Sequence, residues 1–154
     1  MANTYDIIAF SGAGFDTLRL TTQSIFYSDG EASLCTGIQK LCQKWLLEFL
    51  TARGSMGFHL ANRGTDFLRV FRERQFNSES DVRSQFNFAS TLVYNNLISD
   101  WTAATPDDEK LGSAVLNGIV LSPGTLLLTV QITSVAGTSA TFKTPITVLP
   151  ALAI

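Results

Sequence analysis

The chain has 154 residues, 45% hydrophobic and 16% charged, with a net charge of −2. That length suits one compact domain, or a domain with an arm, whose core needs neither disulfide nor metal. The composition excludes a disordered chain. Without a basic run there is no electrostatic footprint for nucleic acid, and no stretch reaches the ~18 apolar residues of a membrane span.

Residues 1–30 read as an N-terminal arm with short β segments. Two β-prone runs, Tyr5 to Phe10 and Leu18 to Tyr27, are broken by Gly12, Gly14 and the turn signal Ser28-Asp29-Gly30. The opening lacks the basic and apolar regions of a secretory leader, so no signal peptide is expected and the protein reads as soluble. Gly12-Ala13-Gly14 has no third spaced glycine and no following Gly-Lys-Ser/Thr, and so reads as a turn rather than a phosphate loop.

Residues 31–154 read as a single α+β domain, with helices over about 33–100 and a β-meander over about 111–149. Leu34, Ile38, Leu41, Cys42, Trp45, Leu46 and Phe49 recur at the steps of one helix face. A left-handed glycine near Arg53-Gly54 is expected to stop that helix. Cys35 and Cys42, seven residues apart in this helix, stand roughly 10 Å apart. That is too far for a disulfide, so they read as buried free thiols from a reducing compartment. After a loop from Ser55 to Gly64, Thr65 or Asp66 can cap a short helix burying Phe67, Leu68 and Phe71. A longer helix begins near Ser78, with Glu79 and Asp81 at its positive dipole end. Its buried side is predicted to be Val82, Phe86, Ala89, Val93 and Leu97, widened by Phe88 and Leu92. A connector with Trp101, Pro106 and Asp107-Asp108-Glu109 follows.

The period then changes. Ala114 to Leu121, Thr125 to Val135 and Ser139 to Leu149 are rich in Val, Ile, Thr and Leu, and Ser122-Pro123-Gly124 and Ala136-Gly137 punctuate them. Leu126, Leu128, Val130 and Ile132 alternate with Leu127, Thr129, Gln131 and Thr133, the pattern of a half-buried strand. A three-stranded antiparallel meander results, its last strand pushed to the edge by Pro145.

Catalytic constellations are sparse. His59 is the one histidine, and neither cysteine has a spacing that makes a zinc pair with it. Ser55, His59 and Asp66 supply the residue types of a hydrolytic triad, but proximity in sequence is not triad geometry. For glycoside hydrolysis Glu48 is the acid flanked by apolar residues, with Asp66, Glu73 or Glu79 as partner; Glu48, Glu73 and Glu79 read equally well as a solvated helix face. Arg69, Arg72 and Arg74 with Glu73 form a charged stripe of the solvated kind. The 11 phenylalanines exceed what a small core needs, so some rings are expected to face partners.

Three stretches in fixed order carry a resemblance. Ser28-Asp29-Gly30 runs into Thr36-Gly37-Ile38-Gln39-Lys40-Leu41. Leu50-Thr51-Ala52-Arg53-Gly54-Ser55 is followed by Asn62-Arg63-Gly64-Thr65-Asp66-Phe67. Asp108-Glu109-Lys110-Leu111 precedes the meander, which has an Ala-Gly turn and closes on Phe142 to Ile146. Over roughly Ser28 to Leu149 this resembles the baseplate wedge, sheath-initiator family of contractile tails, a family shared in kind with type VI secretion and sometimes labelled lysozyme-like.

The resemblance implies a non-enzymatic virion protein, assembled in the host cytoplasm into the tail baseplate without a cofactor. It would join the helical bundle of the wedge and offer a sheet that the first sheath subunits extend. The implied partners are other wedge subunits and the tail sheath protein, and further the tail tube or hub proteins. Much of the family carries an acidic-Pro-Arg tripeptide after the long helix. Here that region reads Ser99-Asp100-Trp101-Thr102-Ala103-Ala104-Thr105-Pro106, so that contact does not carry over. The residues themselves add that a short meander with an open edge leaves backbone groups a neighbour could satisfy. The candidate docking set is therefore Thr125, Leu127, Thr129 and Gln131 on one strand and Phe142, Thr144, Ile146 and Val148 on the other. A completion or adaptor protein of the tail and, from another class, a peptidoglycan hydrolase are the alternatives.

Overall fold

The computed structural model describes residues 6–7, 10–11, 19–20, 34–55, 62–74 and 76–147, with side-chain environments from Thr36 onward except at Arg74. The order is β1 (Asp6–Ile7), β2 (Phe10–Ser11), β3 (Arg19–Leu20), β4 (Leu34–Cys35), α1 (Gly37–Leu50), α2 (Phe67–Arg74), α3 (Glu79–Ser99), a 3-10 turn (Asp107–Glu109), β5 (Leu111–Ser122), β6 (Thr125–Ser134) and β7 (Ser139–Thr147). β1 pairs with β4 and β2 with β3, both antiparallel. The expected α+β architecture is present: a helical middle segment packed on a C-terminal antiparallel sheet of order β5-β6-β7. The triad candidate His59, the glycines Gly12 and Gly14, and Val148 lie outside the described residues.

α1 begins later than its apolar pattern predicts. Leu34 and Cys35 are strand, bridged to β1, and the helix starts after Thr36 with Gly37 at a φ of 58°. Cys35 is therefore not helical, and the helix-rise distance between the two cysteines does not apply. α1 also stops earlier, at Leu50, because Thr51 turns extended while its N–H and hydroxyl both bond the Leu47 carbonyl. Gly54, at a φ of 79°, shapes the turn beyond the helix and does not cap it.

α3 matches its reading closely. Ser78 caps it by accepting from the Asp81 N–H, and Val82, Phe86, Ala89, Val93 and Leu97 are its buried residues. Phe88 departs from expectation. It is 61% exposed, because it projects from the side of the helix away from that stripe.

The core lies between the helices and one face of the sheet. Trp45 stacks on Phe49 with ring centroids 4.7 Å apart and meets Phe86 and Phe142 at 5.9 and 6.1 Å. Phe67, Phe71 and Phe76 extend the aromatic layer. Each such ring contributes on the order of 1.5–3 kcal/mol by leaving water. From below, Leu126, Leu128, Val130 and Ile132 complete the core, as their alternation predicts.

Both hairpins follow from their turn residues. Pro123 fixes its own φ near −65° and Gly124 sits at 70°, the pattern of a type II turn. The second loop is Val135-Ala136-Gly137, with Gly137 at a φ of 84° and its N–H bonded to the Ser134 carbonyl. That is a tight turn followed by a left-handed residue. β5 carries two irregularities, between Leu111 and Ser113 and between Leu116 and Gly118.

Candidate functional site

Antiparallel pairing fixes which main-chain groups remain free, because a residue points both its N–H and C=O either at its neighbour or away from it. Ser134 N–H donates to the Thr138 carbonyl at 2.8 Å. Following the register from there, Ile132 with Ala140, Val130 with Phe142, Leu128 with Thr144 and Leu126 with Ile146 are the pairs that exchange hydrogen bonds. The alternate residues of β7, Ser139, Thr141, Lys143, Pro145 and Thr147, turn their main chain outward. β7 has no strand on that side among the described residues. Pro145 therefore interrupts no ladder bond; it removes one donor from the free edge.

This geometry divides the predicted docking set. Thr125, Leu127, Thr129 and Gln131 lie on β6, the central strand, which is paired along both edges. Their main chain cannot accept another strand, which corrects the expectation that β6 could be the docking strand. Phe142, Thr144 and Ile146 do lie on an edge strand, but their side chains are buried against the helices and their main chain is taken by β6. The groups free to pair belong to Ser139, Thr141 and Lys143, between the chosen residues. The three-residue Ala-Gly loop, which sets the phase of the hairpin, is the signal that identifies them.

The other edge is blunted. On β5 the outward residues are Ala114, Leu116, Ile119 and Leu121, and Arg83 of α3 donates to the Leu116 carbonyl at 3.3 Å. Asn117 is the extra residue of the bulge and bonds Gln131 across the pair. Bulges and covering side chains both discourage strand addition.

The motifs singled out in the sequence meet in two junctions. At the first, Lys40 donates to Glu109 at 3.0 Å, and both side chains are buried. Beside them a Cβ on Gly37 would come within 2.8 Å of Asp108 Oδ2. The Thr36–Leu41 and Asp108–Leu111 stretches are thus one contact between the start of α1 and the approach to β5.

At the second, Glu48 is buried and fully engaged, not on the solvated face expected of it. Its carboxylate accepts from Arg63 Nε at 3.1 Å, Gly64 N–H at 2.7 Å and Asn96 Nδ2 at 2.6 Å. Arg63 also donates to the Asn96 carbonyl in the last turn of α3 and sits 2.9 Å from Asp100. A cation there suits the negative end of the helix. Thr65 bridges to Ala52 through main chain and donates its hydroxyl to the Phe49 carbonyl at 2.6 Å. The Arg63-Gly64-Thr65 run thereby ties the ends of α1 and α3 to the start of α2.

Among the hydrolytic candidates, Ser55 donates its hydroxyl to the Ala52 carbonyl. Asp66 and Glu73 both accept from Arg69 on the exposed side of α2, and Glu79 is exposed in the first turn of α3. None of these is brought to Glu48. Among the described residues no three His, Cys, Asp or Glu are grouped to hold a metal ion, and no helix is long and apolar enough to cross a membrane. Burial pushes the Cys42 thiol up to about 12.

No protein-family model, curated protein or solved structure matches this chain.

Proposed function

We propose that the chain is a structural subunit of a contractile-tail baseplate, of the sheath-initiator type, which receives a strand from the first sheath subunits. The observation that carries the reading is the outward main chain of Ser139, Thr141 and Lys143 on β7, with no strand beside it among the described residues. The motif resemblance supplies the identity of the partners: wedge subunits on the helical side and the sheath protein on the sheet. Virion placement and assembly in the host cytoplasm follow from the same reading.

The edge also limits the docked strand. Pro145 offers an acceptor but no donor, so pairing is expected to be strongest from Ser139 to Lys143 and to weaken beyond. Prolines at Thr141 and Thr147 remove outward donors and leave the β6 ladder untouched, which is where a strand tolerates proline. Thr141→Pro with Thr147→Pro should therefore fold normally by circular dichroism while assembled tails lose their sheath. Normal sheathed tails from the folded double variant would overturn the reading.

A further inference from the structure

Asn117-Gly118 is the one Asn-Gly step in the chain, and the fold puts it at the bulge of β5. Leu116 pairs with Val130 and Gly118 with Thr129, so Asn117 has no residue opposite it. The Asn117 side chain is exposed, and its Nδ2 donates to Gln131 Oε1 at 3.0 Å. Two restraints are therefore missing together. No ladder partner clamps the main-chain torsion between Asn117 and Gly118, and no side chain on Gly118 shields its nitrogen. The sheet itself favours glycine here, because a Cβ on Gly118 would come within 3.3 Å of Thr129 Cβ and Oγ1.

We infer that Asn117 is a site of spontaneous covalent modification, converted in water through a cyclic imide to isoaspartate and aspartate, and that Gln131 restrains it. The Gly118 nitrogen bonds to Asn117 Cγ, the Cγ–Nδ2 bond breaks, and ammonia leaves with the proton that Gly118 gave up. Water then opens the imide. Attack at Cγ restores the main chain and leaves aspartate. Attack at the main-chain carbonyl leaves isoaspartate, with the chain routed through the former side chain. Gln131 opposes the first step, since Cγ reaches the Gly118 nitrogen only after the amide swings out of their hydrogen bond. The Gly118–Thr129 pair must also part, and on an edge strand beside a bulge that opening is local. Both products carry one negative charge more than the parent's −2. Isoaspartate lengthens the main chain at a point where β5 already holds an unpaired residue. The inference does not depend on the baseplate reading, which concerns the opposite edge.

The test incubates the folded full chain at mildly alkaline pH beside a sample unfolded in guanidinium chloride. Ion exchange follows the charge, and peptide mapping identifies the product at residue 117. Isoaspartate is expected as the major product, with about half of the folded chain converted within about ten half-lives of the unfolded one. Gln131→Ala and Gln131→Val should react about fivefold faster, the rate equivalent of one exposed hydrogen bond. Valine keeps the β preference of the strand, so acceleration in both variants is not a loss of fold. Gln131→Glu, which keeps the acceptor, should react at the parent's rate, and Asn117→Gln should form no isoaspartate at this position. Three outcomes would overturn the inference: no isoaspartate at residue 117 of the folded chain, aspartate there without isoaspartate, or no acceleration in either of the Gln131→Ala and Gln131→Val variants.

Discussion

Lys40 and Glu109 stand 69 positions apart in the chain, yet their side chains meet at 3.0 Å in a buried ion pair. The contact fastens α1 to the segment that launches β5. Lys40→Met removes this cation from a buried carboxylate and is expected to cost about 3 kcal/mol, whereas Lys40→Met with Glu109→Leu should recover most of the loss. Urea unfolding of the single and double variants decides the matter. Equal stability of all three proteins would show that the pair does not couple the two halves.

Gly64 and Gly137 share a positive φ, 85° and 84°, but not their surroundings. A Cβ on Gly64 would lie 2.5 Å from the Thr51 carbonyl oxygen, while one on Gly137 meets nothing within 4 Å. Gly137→Ala should therefore cost only about 1 kcal/mol of backbone strain. Gly64→Ala should cost well over 2 kcal/mol, strain and collision together. Thermal melts that rank the two the other way would contradict the junction described around Thr65.

Glu48 separates the structural and hydrolytic alternatives. Its carboxylate is committed to Arg63, Gly64 and Asn96, so Glu48→Gln should lower stability by about 1–3 kcal/mol and alter no lytic activity. In a peptidoglycan zymogram the parent chain is expected to leave no clearing. A cleared band that disappears in Glu48→Gln would make this residue a catalytic acid.

Cys42 yields a prediction against pH. Its thiol is held at about 12 against an ordinary value of 9.0, because the buried site disfavours the thiolate. The unfolded chain thus loses this proton first as pH rises. The contribution is complete below pH 9 and declines toward pH 12, by at most about 1.4 kcal/mol per pH unit. Stability curves of the parent and Cys42→Ala should converge over that interval, and the native thiol should resist alkylation at pH 9. Rapid labelling of the folded chain would refute the assigned burial.

Much of the fold was legible because its signals are local and periodic. The stripe of α3, its Ser78 cap and the alternation of β6 each follow from neighbours in sequence. Leu34 misled because its four-residue step to Ile38 fits a helix face, yet Gly37 interrupts the chain between them and the β1 pairing holds Leu34 in a strand. Glu48 misled for a different reason. Its partners Arg63, Gly64 and Asn96 come from two other segments, and no spacing within α1 announces them. The docking residues were displaced by one because side-chain alternation locates the buried face, whereas strand addition depends on main-chain direction.

The bulge at Asn117 has a consequence for chain length. Ahead of it the inward side chains of β5 are even-numbered, Ala114 and Leu116; after it they are odd-numbered, Ile119 and Leu121, opposite Leu128 and Leu126. Straightening the bulge while keeping Asn117 would turn the distal half of the strand inside out, sending two aliphatic side chains into water and Val120 toward the aromatic layer. Deleting Asn117, by contrast, would join Leu116 to Gly118 in a regular ladder with every distal side chain on its present face. At this point the strand should bear the loss of a residue better than the insertion of a second one.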